Sequence, residues 1–235
     1  MQPVHTHPIG QKWPAQFPDR LQLYSLPTPN GIKVSVMLEE TGLPYEAHRV
    51  DIQANEQFSP AFLALNPNNK IPAIWDPNGP AGQPMGLFES GAILLYLAEK
   101  TGQFLPADAA QRYATVQWLM WQMGGAGPMF GQLGFFYRYG GQALEDKRPL
   151  QRYVVESRRL LGVLEQQLQG RNWIMGEAYT VADMAVLPWV RCLQVNYEAT
   201  ELLGLAEFVN VQRVLAAWLQ RPAVQRALTV PAAAA

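Results

Sequence analysis

Apolar and polar positions alternate along Leu21-Gln22-Leu23-Tyr24-Ser25 as they do in a strand, and Leu26-Pro27-Thr28-Pro29-Asn30-Gly31 breaks the run. The period then lengthens. Ile32, Ser35, Val36 and Glu39 mark helical turns, Val36, Met37 and Leu38 enrich one side, and Gly42 supplies a stop. Pro44 to Asp51 reads as a second strand, and Phe58, Phe62, Leu63 and Leu65 as a short helix ending before Asn66-Pro67-Asn68-Asn69. A third strand follows at Ile71-Pro72-Ala73-Ile74-Trp75 and a turn at Asp76 to Gln83. Met85 to Phe88 makes a fourth strand and Glu89 to Lys100 a helix. After Thr101-Gly102 the pattern is helical throughout. The predicted helices are Ala109 to Met123, Pro149 to Gln169, Thr180 to Asn196 and Glu207 to Leu219.

The order of the first half is β-α-β-α-β-β-α. A strand-helix-strand unit implies a parallel pair, and two adjacent strands at the end imply a hairpin, which together make a thioredoxin-like layout. The expected class is therefore α/β followed by all-α. We expect an irregular arm over residues 1–20, a thioredoxin-like domain over 21–106 and an all-helical domain over 107–235. The sharpest start signal is at Thr180: its side chain can cap the amide of Asp183, whose carboxylate can reach back to the amide of Thr180. Asp183 is thus read as structural. The stretch Gly124-Gly125-Ala126-Gly127-Pro128-Met129-Phe130-Gly131 lacks the Lys-Ser/Thr ending of a phosphate loop and follows a helix, so it is read as a helix break.

Composition narrows the function. Hydrophobic residues make up 49% and charged residues 16%, enough for a sizeable core, and a net charge of −1 gives no case for nucleic-acid binding. No apolar run is long enough to span a bilayer, and Met1 to Arg20 has no apolar signal core, so a cytoplasmic protein without membrane contact is expected. The lone cysteine, Cys192, excludes an intrachain disulfide and a Cys-x-x-Cys redox pair. It sits in an apolar helical pattern and reads as a buried, inert thiol. His5, His7 and His48 form no metal-binding spacing with it, and His5 and His7 read as part of an unordered polar tail.

Three places could carry chemistry. Glu89-Ser90-Gly91 follows a strand and opens a helix. Free amides and a hydroxyl there could hold a carboxylate while Glu89 holds an ammonium, or the pair could simply cap the helix. Lys70-Ile71-Pro72 puts a proline at a strand entrance. A cis bond there would turn the backbone of Ile71 outward for pairing with an extended peptide, although most such bonds are trans. Thr28-Pro29-Asn30-Gly31 is a helix entry with Pro at its first position, and its donors could also stabilise a thiolate. Phe135, Phe136, Tyr137 and Tyr139 either line an apolar pocket or pack the core.

These three motifs do not stand alone. Thr28-Pro29-Asn30-Gly31, Pro67 to Ile74 and Phe88 to Lys100 closely resemble the Nu-class glutathione transferases and their Ure2p-like relatives. The likeness continues in Trp118 to Gln122, Gly125 to Gly131, Gly176 to Asp183 and Pro188-Trp189. The resemblance implies a glutathione transferase fold and a bound glutathione cosubstrate, as one or two molecules or as glutathione disulfide, with no metal. It implies that Glu89 and Ser90 hold the γ-glutamyl end and that Ile71, before a cis Pro72, pairs with the cysteinyl unit. Thr28 and Asn30 would face the sulfur as catalytic residues. Gln57 and Arg152 would contact the tripeptide, with Lys70 near its glycyl carboxylate. Tyr24 and Ser25 lie near the place where other glutathione transferases carry a catalytic hydroxyl, but both are read as strand residues.

The activity so implied is glutathione-dependent disulfide-bond oxidoreduction, with organic hydroperoxide reduction alongside, by a cytoplasmic homodimer. The alternatives are a transferase that conjugates glutathione to electrophiles, and a non-catalytic binding or regulatory protein of the same fold.

Overall fold

The computed structural model describes residues 4–232. They form two compact units, one comprising the described residues up to Thr101 together with those from Pro222 onward, the other Gly102–Arg221.

The first unit is built on a four-stranded sheet of order β2-β1-β3-β4, with β1 Leu21–Ser25, β2 Tyr45–Arg49, β3 Ala73–Asp76 and β4 Met85–Phe88. β1 and β2 run parallel with Leu23 opposite Ala47, while β1–β3 and β3–β4 are antiparallel, with Ala73 opposite Phe88. The parallel pair and the hairpin are those that the order of elements required. Every residue of β1 is buried, as a central strand covered on both faces must be. α2 (Pro29–Thr41) starts with the Thr28 side chain accepting from the Gly31 amide and ends at Gly42, whose φ of 66° suits a residue without Cβ. α4 (Ser90–Thr101) lies beside α2. Between them in sequence come a 3₁₀ turn at Glu56–Phe58 and the short α3 (Pro60–Leu63).

Two segments depart from expectation. The arm is not an unordered tail. Pro8–Lys12 forms a helix, α1, capped by the His7 ring, which accepts from the Ile9 amide. Val4 and Ile9 are buried in a core cluster with Tyr24, Val50, Phe62 and Trp75. The Trp13 indole donates to the Arg49 carbonyl, and the Glu46 carboxylate accepts from the Gln16 and Phe17 amides. Polar composition hid this because the apolar side chains that anchor the arm are few and widely spaced. The second departure is at the other end. The expected helical domain ran to residue 235, whereas Pro222 onward groups with the first unit, and the boundary falls at Thr101 rather than 106. The helix Pro222–Ala227, here α11, packs on α2, and Arg226 bonds Glu39 at 2.6 Å.

The second unit is helical: α5 Ala109–Trp121, α6 Gly127–Arg138, α7 Arg148–Gln167, α8 Val181–Val195, α9 Thr200–Leu203 and α10 Val209–Leu219. α8 is its buried centre and carries the expected capping box. Asp183 accepts from the amides of Thr180 (2.9 Å) and Ile174 (2.8 Å). The glycine-rich stretch is not a break. Gln122–Ala126 forms a π-helical turn that carries α5 directly into α6. Within that stretch Gly127 serves close packing, since a Cβ there would lie 2.4 Å from the Gln122 side chain, and further along α6 one on Gly134 would lie 2.2 Å from the Tyr197 ring.

Candidate functional site

In the first unit, two helix starts and a strand entrance meet at one cleft of about 110 Å³. α2 contributes Asn30 from its first turn, and α4 contributes Ser90 as its first residue. The segment ahead of β3 adds Lys70, Ile71 and Pro72, and Glu89 closes the rim. The positive ends of two helix dipoles at its wall favour an anion in the cleft. Ser90 is buried, and Glu89 beside it is exposed in a left-handed conformation with φ 70°. A side chain other than glycine, asparagine or aspartate in that region is uncommon, and such positions cluster at functional sites. The Ile71–Pro72 peptide is cis, the minority geometry that the sequence left open.

The loop before Ile71 is shaped by a residue the sequence reading did not single out. Asn66 is buried, donates to the Lys70 carbonyl at 2.5 Å and accepts from the Asn68 amide at 2.9 Å. Asn66 and Asn68 both line the cleft. The only sequence signal was an asparagine before proline, which marks a turn without saying what the turn holds.

A second unanticipated side chain stands behind Ser90. Lys33, wholly buried in α2, places its ammonium 3.2 Å from the Ser90 hydroxyl oxygen. Burial pushes that ammonium down to about 7, against the attraction of Glu89.

Not every expected residue joins the cleft. Thr28 is absent from its lining, and its hydroxyl oxygen accepts from the Gly31 amide at 3.2 Å. Gln57 is half-buried beyond the cleft. Its amide nitrogen donates to the Ile52 carbonyl, and its amide oxygen is buried without a hydrogen-bond partner. Arg152 belongs to the second unit, where it is exposed on α7. Within that unit it lines a hollow of about 580 Å³ with Met129, Arg148, Gln151 and Tyr153. Phe136 stacks on Tyr153, with ring centroids 5.6 Å apart, whereas Phe135 and Tyr139 are exposed. The aromatic group thus divides between packing and surface.

Ser25 is fully buried and donates to the Leu26 carbonyl, and Tyr24 is sealed into the core, so neither hydroxyl faces the cleft. Cys192 is buried in α8. Burial pushes its thiol up to about 12, against hydrogen bonding with Tyr197. Among the described residues, no group of histidine, cysteine and carboxylate side chains could hold a metal ion, and no helix is long and apolar enough to cross a membrane.

Comparison with known proteins agrees with this geometry. Residues 19–99 match the glutathione S-transferase N-terminal domain and residues 130–222 the C-terminal domain. The disulfide-bond oxidoreductase YfcG of Escherichia coli is 46% identical over 88% of this chain and 94% of its own length. A glutathione transferase family member from Pseudomonas fluorescens, solved with two glutathiones bound, superposes with a TM-score of 0.95. It is 62% identical over 96% of this chain and 100% of that one. A glutathione transferase from Pseudomonas putida, solved with one glutathione disulfide per subunit, gives a TM-score of 0.96. It too is 62% identical, over 98% of this chain and 100% of that one. The likeness spans both units and nearly the full length of each relative: the chain belongs to the glutathione S-transferase family.

Proposed function

We propose that this protein is a glutathione-dependent disulfide-bond oxidoreductase whose reacting thiols are supplied by bound glutathione. The observation that carries the reading is the pairing of an anion-seeking cleft with a cysteine that cannot take part. Asn30, Ile71 and Ser90 converge on the cleft, while the sole thiol of the chain lies buried in α8 with its ionisation suppressed.

In this reading Ser90 and the first amides of α4 hold the γ-glutamyl carboxylate, and Glu89 holds the ammonium. The Ile71 backbone pairs with the cysteinyl unit. Asn30 and Thr28 face the sulfur. The Thr28 oxygen already accepts from Gly31, which leaves its O–H as a donor to a thiolate. Lys70, on the cleft wall, meets the glycyl carboxylate, and the cleft serves one or two glutathiones or glutathione disulfide.

The chemistry is two thiol–disulfide exchanges. The glutathione thiolate attacks one sulfur of the acceptor disulfide, forming a mixed disulfide and expelling a thiolate that takes up a proton. A second glutathione thiolate attacks the glutathione sulfur of the mixed disulfide, giving glutathione disulfide and the second free thiol. The reading extends to organic hydroperoxide reduction, a homodimeric assembly and a cytoplasmic location, for which the likeness of the motifs to Nu-class enzymes is the support.

Parallel assays with a small mixed disulfide and with a chloronitrobenzene electrophile test the assignment. We expect glutathione-dependent turnover of the disulfide and weak conjugation. Strong conjugation without disulfide turnover would make the chain a conjugating transferase, and glutathione binding without either activity a binding protein.

A further inference from the structure

A lysine with no exposed surface is unusual, and this one sits at the back of the cleft. Lys33 lies on the first turns of α2, in a stretch where Gly31 to Leu38 are all buried. Its burial comes from α2 being covered on two sides, by α4 and by α11. Lysine is almost never fully buried unless its charge is put to use or paired. Among its contacts is the Ser90 hydroxyl oxygen at 3.2 Å. An ammonium has three donors and no acceptor. While Lys33 is charged it can only donate to Ser90, and the Ser90 proton must then turn elsewhere. Were Lys33 neutral, its lone pair could accept that proton, and the serine would present oxygen lone pairs to the cleft.

We infer that Lys33 is a positioning residue of the glutathione site, acting through Ser90: the charged ammonium turns the Ser90 hydroxyl proton outward to meet a ligand carboxylate, and binding of that carboxylate draws a proton onto Lys33. The inference rests on the reading of the cleft as the γ-glutamyl site.

The charged surroundings agree with a group poised to respond. Glu89, at the start of α4, is the neighbour that favours the ammonium. At the far end of α4, Lys100 is bonded to Asp76 at 2.9 Å. On α11, Arg226 is bonded to Glu39 near the last turn of α2, with Glu40 beside it. A ligand carboxylate at Ser90 adds an anion close to Lys33 and favours its charged form. The free site holds Lys33 at about 7, below its ordinary 10.5, so the bound site holds it higher. By linkage, affinity is greatest below the free value and is lost as pH rises through the window between the free and bound values. It falls by about tenfold for each unit separating them.

The test uses S-methylglutathione, whose sulfur does not titrate, and the full chain. Calorimetric titrations in buffers of different ionisation enthalpy near pH 7.5 should show fractional proton uptake on binding, and affinity should fall between pH 6.5 and 8.5. Lys33→Met, which keeps the length of the side chain without its charge, should bind roughly tenfold or more weakly with a flattened pH profile and no proton uptake. Binding by the wild-type chain without proton uptake and with pH-independent affinity would overturn the inference and leave the site standing, whether or not the variant folds. A folded Lys33→Met chain with wild-type affinity and slope would do the same. A wild-type chain that does not bind the probe at all would overturn the site reading and this inference with it.

Discussion

At the scale of single residues, Ser90 is the first residue of α4. A serine at the head of a helix after a strand is a cap or an anion donor, and sequence spacing fits both. The structure puts it, buried, on the wall of a cleft that Asn30 and Ile71 also line. Ser90→Ala should weaken glutathione binding by about 1–3 kcal/mol, because a carboxylate loses its hydroxyl donor. Calorimetry reads this directly, and an unchanged affinity would remove Ser90 from the site. Lys33 and Asn66 were not legible in the sequence for a physical reason. Their burial is imposed by segments distant in the chain or by a local turn, and residue type argues against it in both cases. Asp183 is the opposite case, since Thr180 and Asp183 announced the capping box in their spacing alone. Its burial pushes the carboxyl up to about 6 from an ordinary 3.8, outweighing the hydrogen bonds from Ile174 and Thr180. The folded chain therefore holds that proton more tightly than the unfolded chain, and the contribution of Asp183 to stability falls as pH rises from about 4 to about 6. Unfolding by urea across that range should show wild type losing stability relative to Asp183→Asn. A relative gain over the same window would contradict the assignment.

At the scale of elements, periodicity located the four strands and the helices α2, α4, α5, α7, α8 and α10 to within a few residues, because each carries an apolar face that repeats. It failed where glycine stood for something other than a turn. Gly124 to Gly131 looked like a break, yet the chain stays helical through a π turn, and Gly127 lies where the Gln122 side chain passes close. Gly134 further along α6 makes the point measurable. An added Cβ would overlap the buried Tyr197 ring, so Gly134→Ala should cost about 1–3 kcal/mol in a denaturant titration. Gly124→Ala, whose Cβ would meet nothing within 4 Å, should instead be neutral or slightly stabilising. Equal effects from the two substitutions would refute the packing explanation. The short helices α1, α9 and α11 escaped notice because four to six residues hold too few turns to show a period.

Across the whole molecule, both ends of the described chain serve the unit that holds the cleft. The arm supplies Val4 and Ile9 to the core that Ile71 and Phe88 pack against, and α11 returns to cover α2. The sequence reading placed the first segment as a loose tail and the last in the helical domain, since neither carries a pattern that names its partner. What the sequence did convey at this scale was a count: one cysteine, and that one inside an apolar helix. The central claim follows from it, namely that the reacting thiols belong to bound glutathione. The most direct measurement is glutathione-dependent reduction of a small disulfide by Cys192→Ser. A thiol-free chain that reduces the disulfide at the wild-type rate is the predicted result. A variant that folds and still binds glutathione but has lost turnover would contradict the account.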